Sequence, residues 1–105
     1  MGRGLSLTKS HWQGNQWPSI EFGGEEAGDF PKILTTICVH FAVPIPAIVD
    51  VLDGYATDFS IDGSCVKMLL DTWGFSLAAE TVDLRDRIYA LLAATDLRTP
   101  PGRQP

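Results

Sequence analysis

The amino-acid sequence predicts an α+β domain. An antiparallel meander sheet of about three to four strands carries about three helices on one face, in the order β-α-α-β-β-β-α. Three observations carry this expectation. Asp62-Gly63 stands between alternating apolar residues, a strong two-residue hairpin signal. Phe30, Ile33, Leu34, Ile37, Cys38 and Phe41 recur at the helical period, as do Leu84, Ile88, Leu91 and Leu92. Helices laid on one face of a sheet bury both kinds of apolar surface at once.

Ile20 and Phe22 alternate with Ser19 and Glu21, so a short strand is expected over Trp17 to Phe22, with Pro18 at a sheet edge or strand start. A Gly-rich loop, Gly23 to Gly28, leads to Asp29 as helix cap, with Pro31 in the first turn, where a missing N–H is harmless. Pro44 ends that helix. Pro46 is expected to open a second one bearing Ala47, Ile48, Val51 and Leu52, with Gly54 at its end.

The Asp62-Gly63 turn pairs Ile61 with Ser64 and Phe59 with Val66, and sets Asp58 against Lys67 as a cross-strand ion pair. A second turn at Asp71-Thr72 sets Leu70 opposite Trp73, Met68 opposite Phe75 and Val66 opposite Leu77. The three strands then share one buried face of Phe59, Ile61, Val66, Met68, Leu70, Trp73, Phe75 and Leu77. Thr81 caps the last helix, on whose exposed face Asp83 and Arg87 form an i,i+4 pair.

A chain of 105 residues suits one core. Its organisation reads as a flexible segment over 1–15, a single domain over 16–97 and a Pro-rich disordered tail over 98–105. The opening residues carry no apolar run of the secretory type, and no stretch reaches the roughly twenty apolar residues of a membrane span. Cys38 and Cys65 lie far apart and outside any Cys-x-x-Cys pair, which suits two buried, reduced thiols in a cytoplasmic protein.

The net charge is −5, yet residues 10–84 hold eleven acids against Lys32 and Lys67. An acidic face is expected there. It repels nucleic acid and anionic membrane and attracts basic partners.

Motifs for chemistry are sparse. Asp58, Ser60, Asp62 and Gly63 match the first half of a calcium-binding loop, but Leu69 stands where a bidentate Glu is needed and the flanks read as strands. Cys38 and His40 are two apart on a helix and point to different faces. Gly23-Gly24 lacks the spacing and the Lys of a phosphate loop. No catalytic residue, metal or cofactor is expected. Glu25 and Glu26 form a dense acidic cluster. With Glu21, Asp50 and Asp53 they are the expected surface for a basic protein partner, with Trp12 and Trp17 as aromatic anchors.

The stretches Thr57-Asp-Phe-Ser-Ile-Asp-Gly-Ser64 and Trp73-Gly-Phe-Ser-Leu-Ala-Ala-Glu80 carry a likeness of design across residues 17–94. The chain resembles the small intracellular immunity proteins of bacterial toxin systems, including the contact-dependent growth inhibition type. The resemblance implies an acidic face that docks on a basic toxin, often a nuclease, and occludes its phosphate-binding groove. A regulatory or adaptor subunit would instead use an apolar helix or a sheet edge. A small enzyme would need residues remote in sequence to converge in one pocket, for example His11 with Glu21 or Asp71.

Overall fold

A computed structural model describes residues 7–23, 29–51, 54–72 and 74–94. The chain runs through β1 (Leu7–His11), β2 (Pro18–Phe22), α1 (Asp29–His40), β3 (Val49–Val51), β4 (Gly54–Ile61), β5 (Ser64–Asp71), β6 (Gly74–Ala79) and α2 (Val82–Ala93). The strands form one antiparallel sheet in the order β1-β2-β6-β5-β4-β3. A four-strand meander, β3 to β6, is thus extended at its β6 edge by the β1–β2 hairpin. The α+β class holds, with more strands and fewer helices among the described residues than expected.

Alternation sends Ile20 and Phe22 of β2, Ile61 of β4, Val66 and Met68 of β5, and Phe75 and Leu77 of β6 to one side of the sheet. There they join Phe30, Ile33, Leu34 and Ile37 of α1 and Leu84, Ile88 and Leu92 of α2 in a single core. Phe30 is its aromatic centre, with ring centroids 5.3 Å from Phe75 and 5.8 Å from Tyr55, while Phe22 stacks on Phe75 at 4.3 Å. Burying each such side chain contributes about 1.5–3 kcal/mol, so this face dominates stability.

The β4–β5 hairpin follows the expected register: Ile61 faces Ser64, Phe59 faces Val66 and Asp58 faces Lys67. Asp62 and Gly63 have φ of 53° and 82°, both in the left-handed region that a two-residue turn of this hand requires. The β5–β6 register departs from expectation. Leu70 faces Phe75, Met68 faces Leu77 and Val66 faces Ala79, because the strands close on an Asp71–Gly74 pair. The Gly74 N–H donates to Asp71 Oδ1 at 3.2 Å, and φ of 149° at Gly74 suits a residue without Cβ. The slip is even, so the expected inner residues keep their face. Trp73, expected opposite Leu70, lies outside the described residues.

The helix expected from Pro46 is not formed among the described residues, and Leu52 lies outside them. Residues 43–48 are irregular and Val49–Val51 is an edge strand antiparallel to β4. Helix α1 ends in a Schellman turn at Ala42 (φ 57°), where the Val43 N–H donates to Cys38 O and the Ala42 N–H to Val39 O. Pro44 and Pro46 then disfavour helical geometry at Val43 and Ile45. The Thr57 hydroxyl donates to Ala47 O at 2.9 Å and holds this segment beside β4. Gly54 is no helix terminator: a Cβ there would meet the Leu70 carbonyl oxygen at 2.0 Å, so glycine permits the close strand approach.

β1 lies inside the segment expected to be loose. Its alternation is weak, and charge-assisted contacts from α2 hold it. The Lys9 ammonium meets Asp86 at 3.2 Å and sits 4.8 Å from the Tyr89 ring centroid. Buried Arg85 donates from Nη1 to the carbonyls of Ser10 and Ser19, each at 3.2 Å, and from Nε to Asp86 at 2.7 Å. The Thr81 hydroxyl caps α2 as expected, accepting from the Leu84 N–H at 3.2 Å. Arg87 turns away from its expected partner Asp83. It meets Asp62 at 3.6 Å and covers the Phe41 ring, so the pairing joins α2 to the hairpin turn and the end of α1. Among the described residues, no helix is long and apolar enough to cross a membrane.

Candidate functional site on the helix-free sheet face

Both helices bury their apolar stripes on one side of the sheet, so the chemistry of the opposite side is set by the other half of each strand. The register places Thr8, Glu21, Ser76, Leu69, Ala56 and Val49 in one row across all six strands of that open face. The row is polar over β1, β2 and β6 and apolar over β5, β4 and β3.

Trp12 lies along this row at the change in character. The turn after β1 folds it back: the Trp12 N–H donates to Trp17 O and the Gln16 N–H to Trp12 O, both at 3.0 Å. The Trp17 N–H donates to Asn15 Oδ1 at 2.9 Å, and Gln16 takes φ of 62° to close the loop. The indole N–H then donates to the Ser76 hydroxyl of β6 at 3.1 Å, which pins a half-buried ring on the sheet.

A shallow hollow lies on each side of that ring. The apolar one, about 390 Å³, is formed by Trp12, Val49, Ala56 and Leu69, with the Asp58–Lys67 ion pair (3.9 Å) at its margin. The polar one, about 610 Å³, is lined by Trp12, His11, Glu21, Asp71 and Ser76 over Gly74. A Cβ built on Gly74 meets nothing within 4 Å, so the glycine leaves open space between the rows of Glu21 and Asp71.

The ion pairs among the described residues lie apart from the polar hollow. Lys9 and Arg85 are taken by Asp86, Lys67 by Asp58 and Arg87 by Asp62, all away from it. Among the described lining residues, Glu21 and Asp71 bring carboxylates beside the indole. On the helix side, the hydrogen bond from Arg85, followed by that from Lys9, holds the Asp86 carboxyl below the ordinary carboxylate range.

Of the residues expected to bind a partner, Trp12 and Glu21 share this hollow. Trp17 is half-buried at the end of the loop that shapes it. Asp50 is exposed on the edge strand β3, four strand spacings from β2 and therefore roughly 19 Å away. Glu25, Glu26 and Asp53 lie outside the described residues. His11, Glu21 and Asp71, expected to converge only in a small enzyme, all line the polar hollow. Ser76, Leu69, Ala56 and Val49 had no sequence signal, because their row exists only once six strands are in register. Among the described residues, no group of three His, Cys, Asp or Glu side chains is placed to hold a metal ion.

Cys38 is buried in α1, whereas Cys65, expected to be buried, is half-exposed on β5, and both are free thiols. Burial pushes both thiols up. At Cys65 the nearby Asp58 and Glu80 charges add to that effect and Lys67 opposes it.

No protein-family model, characterised protein or solved structure matches this chain.

Proposed function

We propose that this protein is a cytoplasmic, protein-binding inhibitor of the immunity type, and that it neutralises a basic cognate toxin with the helix-free face of its sheet. The observation that carries this reading is the polar hollow beside Trp12 on the open face, whose described lining carries the carboxylates of Glu21 and Asp71 next to a half-buried indole. Opposite charge accelerates encounter, and a desolvated aromatic anchor slows release. A nuclease toxin supplies the required basic surface at its phosphate groove, and occupying that groove stops the enzyme.

The test is a pull-down with the adjacent gene product or from the native host, washed at low and then high salt. A tightly held basic partner whose association slows as salt rises supports the reading. Recovery of no partner, or of an acidic and salt-indifferent one, overturns it.

A second reading, an adaptor that pairs through a sheet edge, is favoured by β3. Val49 and Val51 are exposed on this edge strand, and Ile45 and Ile48 are exposed just before it. An edge of β-branched residues is suited to strand addition. Its complex would resist salt and fail on Val49→Lys, whereas the immunity-type complex would fail on Glu21→Lys.

A further inference from the structure

We infer that the Asp62-Gly63 turn is a site of spontaneous covalent modification, at which the aspartyl peptide rearranges through a succinimide to isoaspartate, and that Arg87 slows the reaction. The first step brings the backbone nitrogen of the following residue onto Asp62 Cγ, and glycine hinders this least because it carries no Cβ. Three features of the turn favour the step. A Cβ built on Gly63 meets nothing within 4 Å. The Asp62 side chain is 77% exposed, so water reaches the ring once it has formed. The β4–β5 ladder closes on Ile61 and Ser64, so both turn residues lie at its end, where local opening costs least. Asp53-Gly54 is the same dipeptide, but Gly54 is paired with Val51 and packed against the Leu70 carbonyl, a setting Gly63 does not share.

The chemistry needs only water. The Gly63 nitrogen bonds to Asp62 Cγ, and one carboxyl oxygen leaves as water with the amide proton and the carboxyl proton. Water then adds to the ring. Opening the bond from nitrogen to Cγ restores aspartate, whereas opening the bond to the main-chain carbonyl leaves the chain running through Cγ, and no atom changes oxidation state. Arg87 Nη1 lies 3.6 Å from Asp62 Oδ2, and the guanidinium is held over the Phe41 ring, 5.2 Å from its centroid. The succinimide has no carboxylate, so this ion pair stabilises the reactant and is lost on the way to the ring. The isoaspartyl product adds one backbone atom to a two-residue turn, which breaks the geometry that set Asp62 and Gly63 at positive φ and moves the carboxylate away from Arg87. The contact joining α2 to the hairpin is lost with it.

The full chain is incubated for weeks in warm, mildly acidic buffer, and samples are digested with a protease that cuts before aspartate but not before isoaspartate. Electron-transfer fragmentation then locates the altered residue and separates position 62 from position 53. The expected result is progressive loss of cleavage before Asp62 with no net change in mass, preceded by a species lighter by one water. Arg87→Ala should speed the loss about two- to fivefold, the range that one exposed ion pair spans. Arg87→Lys keeps the charge and should stay within about twofold of the unsubstituted protein. Ile88→Val loosens the core of α2 without touching the pair, and should leave the rate unchanged.

Cleavage before Asp62 that persists undiminished overturns the site. Equal rates for Arg87→Ala and the unsubstituted protein overturn the role of Arg87. So does an equal acceleration by Ile88→Val, which would trace the effect to a loosened fold rather than to the ion pair. The rearrangement needs no partner, so its failure leaves the proposed function standing, and failure to capture a partner leaves the rearrangement standing.

Discussion

The two faces of the sheet are built from the same strands, residue by residue, yet they differ in what orders them. On the covered face, Ile20, Met68, Leu77 and Phe30 are almost entirely removed from water, and order follows from apolar area. On the open face, a row running from Thr8 through Ser76 to Val49 is crossed by one indole, which a single hydrogen bond and a short loop hold in place. The covered face therefore carries most of the stability, and the open face is the one on which the proposed recognition would act. Alternation within a strand thus gives two faces of different composition from one run of residues.

The comparison breaks most visibly at its apolar centre. Phe30→Ala removes the ring that meets both Phe75 and Tyr55, and should cost about 3–5 kcal/mol in urea or thermal unfolding. A loss below about 1 kcal/mol would mean that the core does not centre on Phe30.

Arg85 tests the polar seam by which α2 holds β1 and β2. Arg85→Met keeps much of the stem but leaves the Ser10 and Ser19 carbonyls without its donor, and should cost about 2–3 kcal/mol. Hydrogen exchange should rise first in β1 and β2, and a uniform rise across the sheet would contradict this local role.

Trp12→Phe should separate the faces most cleanly. Stability should fall by only about 1 kcal/mol, the scale of one lost hydrogen bond, while capture of a basic partner weakens. Collapse of the fold would show that the open face is structural after all.

Acid should act on the seam through Asp86. The folded Asp86 carboxyl is held low, so its contribution is present above the ordinary carboxylate range and is lost as pH falls through its lowered value. Asp86→Asn should therefore differ from the unsubstituted protein at neutral pH and converge with it in strong acid. The smallest effect expected is chemical. Half-exposed Cys65 on the open face should be alkylated in the folded protein while buried Cys38 is spared, slowly at neutral pH because burial raises the thiol, and mass spectrometry reads the order.

Legibility in the sequence follows the range of the interactions involved. The β4–β5 hairpin was readable because Asp62-Gly63 and the alternation around it act within a few residues. So was the Thr81 cap, which reaches only to Leu84. The β5–β6 register was missed by two residues because Asp71 can serve either inside a turn or as the residue that closes it, and the Gly74 contact decides for the latter. β1 was not legible, since Lys9 and Ser10 look like loop residues until Asp86 and Arg85 come across from α2.

The helix expected after Pro46 failed for a related reason. Its apolar spacing suited a helix, but Thr57 ties Ala47 to β4 and Gly54 sits against the Leu70 carbonyl, contacts that span 10 and 16 residues. By itself the sequence determined the α+β class, the buried stripes of both helices and the β4–β5 hairpin, because each depends on local periodicity and turn chemistry. Only the tertiary structure decided the six-strand order and the joining of Trp12 with Glu21 and Asp71, because a site laid across strands exists only when distant segments share one register.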